Sequence, residues 1–165
     1  MSGTSTRART QAVVQLPLLD RLMDETPQSA LGPAEALALL RRSVRRDVEA
    51  LLNGRRRWRS WPRNLRQLAV SPLNFGIPDC TGGNFHDPDQ RQTLRREIED
   101  TIRRFEPRFR SVQVTIIDSD SPLEATVRLR IEALLRVEPA PEPISFDTLV
   151  DSVTASVLVR ASDYV

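Results

Sequence analysis

The sequence predicts an α+β fold in a single domain, with N-terminal helices packed on an antiparallel β-sheet. Three observations predict it. Two long segments before residue 106 repeat their apolar residues at steps of three and four, the period of a helix buried along one stripe. Three segments after residue 110 alternate apolar and polar residues, the period of a strand with one wet face. The length of 165 residues suits one domain, and a chain of that size buries about 70% of its unfolded surface without disulfide staples.

Residues 1–15 are rich in Ser, Thr, Arg and Gln and read as a disordered N-terminal arm. Leu16 to Leu22 is a short apolar cluster that forms one or two helical turns or simply docks on the body. Pro27, Gly32 and Pro33 then break the chain. The first long helix runs from about Pro33 to Asn53. Pro33 suits the first helical position, Leu37, Leu40, Val44, Val48 and Leu51 form the stripe, and Asn53-Gly54 is the stop, with Gly54 available for a left-handed conformation. Residues 55–92 have no sustained period; their Pro and Gly density reads as a long connection with one helical turn near 64–69.

Asp87 caps the second long helix and Pro88 opens it. Leu94, Ile98, Ile102 and Phe105 are its stripe, and Pro107 ends it. Strands follow around Val112–Ile116, Val127–Leu135 and Val153–Arg160, with a turn at 118–121. Glu138 to Pro143 is a proline-rich connector, extended and poor at pairing.

The charge is unevenly placed. All 24 basic residues are Arg, for which the codon usage of a GC-rich genome is the simplest account. Residues 41–66 hold ten Arg against Asp47 and Glu49, a net of +8, whereas residues 111–165 hold four Arg against nine acids, a net of −5. The chain is therefore nearly neutral and strongly dipolar, which suits a part oriented by charged neighbours during assembly. Arg41, Arg42, Arg45 and Arg46 share one region of the first long helix. A helix that keeps four Arg together lies in solvent or meets an acidic partner.

The residue inventory excludes several chemistries. One cysteine, Cys80, allows no intrachain disulfide, and one histidine, His86, excludes sites needing two imidazoles. Cys80, His86, Asp87 and Asp89 lack paired ligand spacing, so neither metal nor cofactor is expected. No stretch approaches the roughly 20 apolar residues of a membrane span, and the N-terminus lacks the apolar run of a signal peptide, so a cytosolic address without membrane insertion is expected. Glu97, Glu99, Glu106 and Glu124 are candidates for a glycosidase pair by residue type only, and Glu97 and Glu99 flank Ile98, which points them to solvent. The run Arg55 to Trp61 has the Arg and aromatic content of a nucleic-acid patch, though a net charge of +2 makes nucleic acid a minority reading.

Phe105-Glu106-Pro107-Arg108-Phe109 is the most unusual segment. If the chain becomes extended on leaving the helix, Phe105, Pro107 and Phe109 anchor to the body while Glu106, Arg108 and Arg110 project. A carboxylate at a helix C-terminus is disfavoured by the dipole and gains from a cation, such as Arg103 or an Arg of a partner. On that view, replacing Glu106 or Arg108 by Ala leaves the fold nearly intact.

Five pieces occur in an order that resembles a known family: Leu18-Leu19-Asp20-Arg21-Leu22, Val44-Arg45-Arg46-Asp47-Val48-Glu49 through Asn53, Ser71 through Asp79, Ile98-Glu99 with Glu106-Pro107-Arg108, and Phe146-Asp147-Thr148. They resemble the TssE family of type VI secretion baseplate proteins, itself similar to the phage-tail baseplate wedge family labelled "gene 25-like lysozyme". The resemblance covers about residues 16–160, with residues 16–165 forming the wedge domain. It implies a non-enzymatic part of a contractile machine in the bacterial cytoplasm near the inner membrane. TssF, TssG and TssK are the implied baseplate partners, and TssB and TssC the implied sheath partners. Glu106, Pro107 and Arg108 are the implied sheath-binding residues, and the sheet is expected to offer an open edge for β-augmentation. The alternatives are a peptidoglycan-cleaving muramidase and a nucleic-acid binder.

Overall fold

The computed structural model describes residues 16–23, 32–56, 62, 64–79, 87–117, 126–138, 140–151 and 153–162. The N-terminal arm, Trp58, Trp61, Cys80, His86, the turn at 118–121 and Glu124 lie outside the described residues. Among the described residues three α-helices precede four strands: α1 (Leu18–Met23), α2 (Pro33–Asn53), α3 (Pro88–Phe105), β1 (Phe109–Ile117), β2 (Thr126–Leu135), β3 (Glu142–Asp151) and β4 (Val157–Ala161). Each strand is antiparallel to the next in the order β1-β2-β3-β4, a simple meander. The expected α+β architecture is present.

The helices form where their sequence periods place them. Pro33 opens α2, and the Glu35 carboxylate accepts the Gly32 N–H at 3.1 Å. Its buried residues include Leu40, Val44, Val48, Leu51 and Leu52. Asp87 accepts the Asp89 N–H at 2.9 Å and caps α3, which buries Leu94, Ile98 and Ile102. The two helices cover one face of the sheet, α2 lying along β4 and α3 along β1. Between them and the sheet sit Leu52, Ile98, Leu129, Ile131, Leu135 and Phe146, none more than 1% exposed. The other face is wet and carries Arg130, which donates to Asp147 at 3.1 Å on the neighbouring strand.

Three expectations change. The sheet has a fourth strand, β3, in its interior, where Glu142 and Pro143 pair with Leu135 and Leu134. Pro143 costs no ladder bond. Ser145, which accepts the Ser162 N–H at 3.0 Å, shows that the odd-numbered residues of β3 face β4, and β4 pairs only with Phe146 to Val150. The last strand begins at Val157, not Val153. Ahead of it the Asp151 carboxylate accepts the N–H groups of Val153 (2.7 Å) and Thr154 (3.2 Å), and Ala155 sits at φ 52°. These bonds hold the Asp151 carboxyl below its usual range.

Gly54 is extended, φ −66° and ψ 137°, not left-handed. Space is what favours glycine there, since a Cβ would lie 3.1 Å from the Phe75 ring and 3.2 Å from the Leu51 carbonyl oxygen. The positive φ belongs to Gly76, at 99°, where a Cβ would lie 2.3 Å from the Gly54 carbonyl oxygen. That close approach lets Ile77 donate to Gly54 O at 3.1 Å and accept from Arg56 N–H at 2.9 Å. The long connection, which includes short 3₁₀ turns at Arg66–Val70 and Pro72–Asn74, is thereby strapped to the end of α2. Phe75 packs edge-on against Phe105, centroids 5.6 Å apart.

Candidate functional site

At the corner between α3 and β1 the chain does not extend at once. Glu106 donates its N–H to Ile102 O at 2.9 Å, still finishing the helix, and accepts from Phe109 N–H at 3.3 Å across a turn. The alternation expected for Phe105 to Arg110 therefore fails. Glu106 is buried, 5% exposed, Pro107 is exposed at the tip, and Arg108 is half-buried. Glu106 Oε1 accepts from the Arg108 backbone N–H (3.2 Å) and from its Nε (2.6 Å), and Oε2 pairs with Nη2. Its cation is Arg108, not Arg103. Arg103 instead binds Glu99 at 2.7 Å and Asp100 at 3.2 Å.

The pair continues into a chain of charges. Arg108 Nη2 also donates to Asp47 Oδ2 on α2 at 2.8 Å. Asp47 Oδ1 accepts from Arg46 at 3.2 Å, and Arg46 Nη1 reaches Asp20 on α1 at 2.8 Å. Ser43 sits beside this run, 3.3 Å from Arg46 and 3.5 Å from Asp47. Five side chains thus join the corner, α2 and α1 with alternating sign. Burial would lower the Arg108 guanidinium, but the hydrogen bonds and charges of Glu106 and Asp47 outweigh it and raise it. The hydrogen bond from Arg46 holds the Asp20 carboxyl below its usual range, and the Asp20 acceptor raises Arg46 in turn. Removing Arg108 would leave the buried Glu106 without its cation, and removing Glu106 would leave Arg108 with Asp47 alone, so either change to Ala is expected to cost stability.

A second arrangement, unseen in the sequence, covers part of each margin of the sheet. On α3, Arg95, Glu99 and Arg103 stand at steps of four. Glu99 accepts the Val114 N–H at 3.2 Å, Arg95 donates to Val114 O at 3.2 Å, and Arg103 donates to Val112 O at 3.5 Å. On α2, Arg45, Glu49 and Asn53 stand at the same steps. Asn53 donates to Val157 O (2.8 Å) and accepts its N–H (3.0 Å), Arg45 donates to Val159 O (3.2 Å), and Glu49 accepts the Val159 N–H (3.4 Å).

The geometry has a simple cause. Four helical residues rise about 6 Å, and two strand residues advance about 6.7 Å, so a row at every fourth helical position meets the outward-facing groups at every second strand position. Edge strands otherwise expose unpaired backbone. At β4 all four outward groups of Val157 and Val159 are occupied, so that stretch of the edge is already bonded within the chain.

Most of the residues of interest are thereby placed. Glu99 is drawn to the β1 margin instead of to solvent. Burial alone would raise its carboxyl, but the Val114 N–H, Arg103 and Arg95 outweigh it and hold it below the usual range. That shift is opposite to the one a glycosidase general acid needs. Glu97 pairs with Arg56 at 3.1 Å, so that cation of the Arg55 to Trp61 run meets a carboxylate of its own chain. Arg41 pairs with Glu142, Arg45 with Glu49 and Arg46 with Asp20 and Asp47. Arg42 makes no ion pair among the described residues. No group of three or more His, Cys, Asp or Glu that could hold a metal occurs among the described residues, nor any helix long and apolar enough to cross a membrane.

The molecule is thus a helix-backed antiparallel meander whose distinctive polar groups join one structural element to another. The family model of the baseplate wedge protein gp25 matches residues 38–140, a span that holds Asp47, Glu106, Arg108 and both rows of margin-closing side chains. The chain belongs to that family, whose members are baseplate structural proteins. No curated protein and no solved structure was found to match the chain.

Proposed function

We propose that the chain is a non-enzymatic component of the type VI secretion baseplate. It joins TssF, TssG and TssK in the cytoplasm near the inner membrane, links the wedge to the TssB–TssC sheath, and helps start sheath assembly. The carrying observation is the corner. Glu106 and Arg108 are locked to each other and to Asp47, and they hold Pro107 exposed at the tip of a rigid bracket. Glu106 and Arg108 shape the attachment point, and Pro107 presents it. The covered margins sharpen the mode of attachment: a sheath strand that adds to β4 has to displace Arg45, Glu49 and Asn53, so strand addition is an exchange of hydrogen bonds with little net loss of pairing.

The test is Pro107→Glu in cells with a fluorescent sheath subunit. The tip is exposed and outside the charge chain, so the variant keeps its melting temperature while sheath counts fall. Normal sheath assembly in cells lacking the protein, or lytic activity of the purified chain in a peptidoglycan zymogram, overturns the assignment.

A further inference from the structure

Helix α1 faces the wrong way for an ordinary surface helix. Leu18, Leu19, Leu22 and Met23 are 68%, 59%, 75% and 74% exposed, while the charged Asp20 turns inward to Arg46. Six residues are too few to hold a helix in water unaided. The buried Leu16 and the Asp20–Arg46 bond hold it against α2, with its apolar side chains turned outward. Clustered exposed apolar side chains mark interaction surfaces.

Between α1 and α2 runs a groove of about 310 Å³, lined in part by Asp20, Met23, Leu39, Arg42, Arg45 and Arg46. Arg41, Arg45 and Arg46 are already paired within the chain, whereas Arg42, and Arg21 on α1 itself, make no ion pair among the described residues. The apolar ridge is therefore bordered by two cations that have no carboxylate partner among the described residues.

We propose that α1 and this groove form a docking site for a protein partner that presents apolar side chains flanked by carboxylates. The occupant follows from charge. A second copy meeting this one about a twofold axis would set the same cations against each other. The inference rests on the baseplate assignment, within which the partner is a wedge subunit. It places recognition on α1, Arg21 and Arg42, apart from the corner at Pro107.

The test uses the full chain, affinity-tagged and co-expressed with TssF, TssG and TssK. Leu18, Leu22 and Met23 are changed together to Ser, and Arg42→Glu is made separately. The wild type retains the subunits. The triple variant retains at least about tenfold less, as when interface anchors are removed, and Arg42→Glu retains several-fold less. Both keep the wild-type melting temperature, because the altered side chains lie in solvent.

Recovery of the complex by the triple variant within about twofold of wild type overturns the inference and leaves the baseplate assignment standing. Two other results overturn it as well: binding to phosphatidylglycerol vesicles that the triple variant loses while the subunit complex survives, or a wild-type dimer that the triple variant splits. If the wild type retains none of the three subunits, the baseplate assignment falls and this inference falls with it.

Discussion

The two joints between helix and sheet use the same device in different ways. At the α3–β1 joint the side chains that cover the margin are all charged, Arg95, Glu99 and Arg103, and Glu106–Arg108 locks the corner a few residues away. At the α2–β4 joint half of the closure comes from one neutral amide, Asn53, which both donates to and accepts from Val157. The first joint links residues 9 to 19 positions apart, whereas the second links residues 104 to 114 apart. A four-residue helical row can therefore cap a strand whether the two are neighbours in the chain or stand at its opposite ends. What differs is the chemistry at the seam and the order in which the seams are expected to form.

The largest expected effect is at the first joint. Glu106→Ala leaves the half-buried Arg108 with Asp47 as its one carboxylate partner and lowers stability by about 3 kcal/mol, the low end of the range for breaking a buried pair. A urea midpoint within error of wild type would show that the corner is not held by this pair. At the second joint Asn53→Leu leaves both backbone groups of Val157 without their partner, a loss of about 1–3 kcal/mol. If Asn53→Leu costs more than Glu106→Ala, the ranking of the two joints is reversed.

Folding kinetics sharpen the contrast. Short loops close before long ones, so Glu99→Gln slows folding, while Asn53→Leu mainly speeds unfolding, by about fivefold for each kcal/mol lost. Equal partition of both effects between the two limbs of a chevron plot would remove the distinction.

A smaller effect is linked to pH. Glu99 has a lowered folded value, so its contribution is complete above the ordinary glutamate value of 4.5 and is lost as pH falls through the lowered one. Thermal melts of Glu99→Gln therefore fall less steeply with acid than those of the wild type. Parallel curves for the two would show that the β1 margin is not proton-linked. The smallest effect belongs to neither joint: Arg130→Ala, on the wet face, changes stability by less than about 1 kcal/mol.

Local patterns were readable in the sequence, and long-range ones were not. The helical periods and caps at Pro33, Asp87 and Pro88 predict α2 and α3 to within a residue or two. The unusual corner at Glu106 and Arg108 was visible because an acid at a helix C-terminus needs a cation nearby. Its inward turn was not, because that depends on Asp47, 61 residues away. Strand β3 was hidden by its opening Glu-Pro and by the buried Thr148, although Ile144, Phe146 and Val150 keep the period of two. The rows Arg45-Glu49-Asn53 and Arg95-Glu99-Arg103 were present as spacings, but such spacings also occur on helices that face only water. Arg46, Asp47 and Asp20 stood in the pieces that carried the family resemblance, and their mutual bonding emerges only when α1 is set against α2.

The charge chain from Glu106 to Asp20 is driest at Glu106 and wettest at Arg46, one link before its end. The Glu106 side chain is 6% exposed, whereas Arg46 near the far end is 49% exposed. Dissolved ions screen exposed charges far more than sheltered ones. Rising ionic strength therefore loosens the links made by Arg46 before the Glu106–Arg108 pair and slackens the hold on α1 while the bracket keeps its shape, which makes α1 an adjustable handle on a fixed mount.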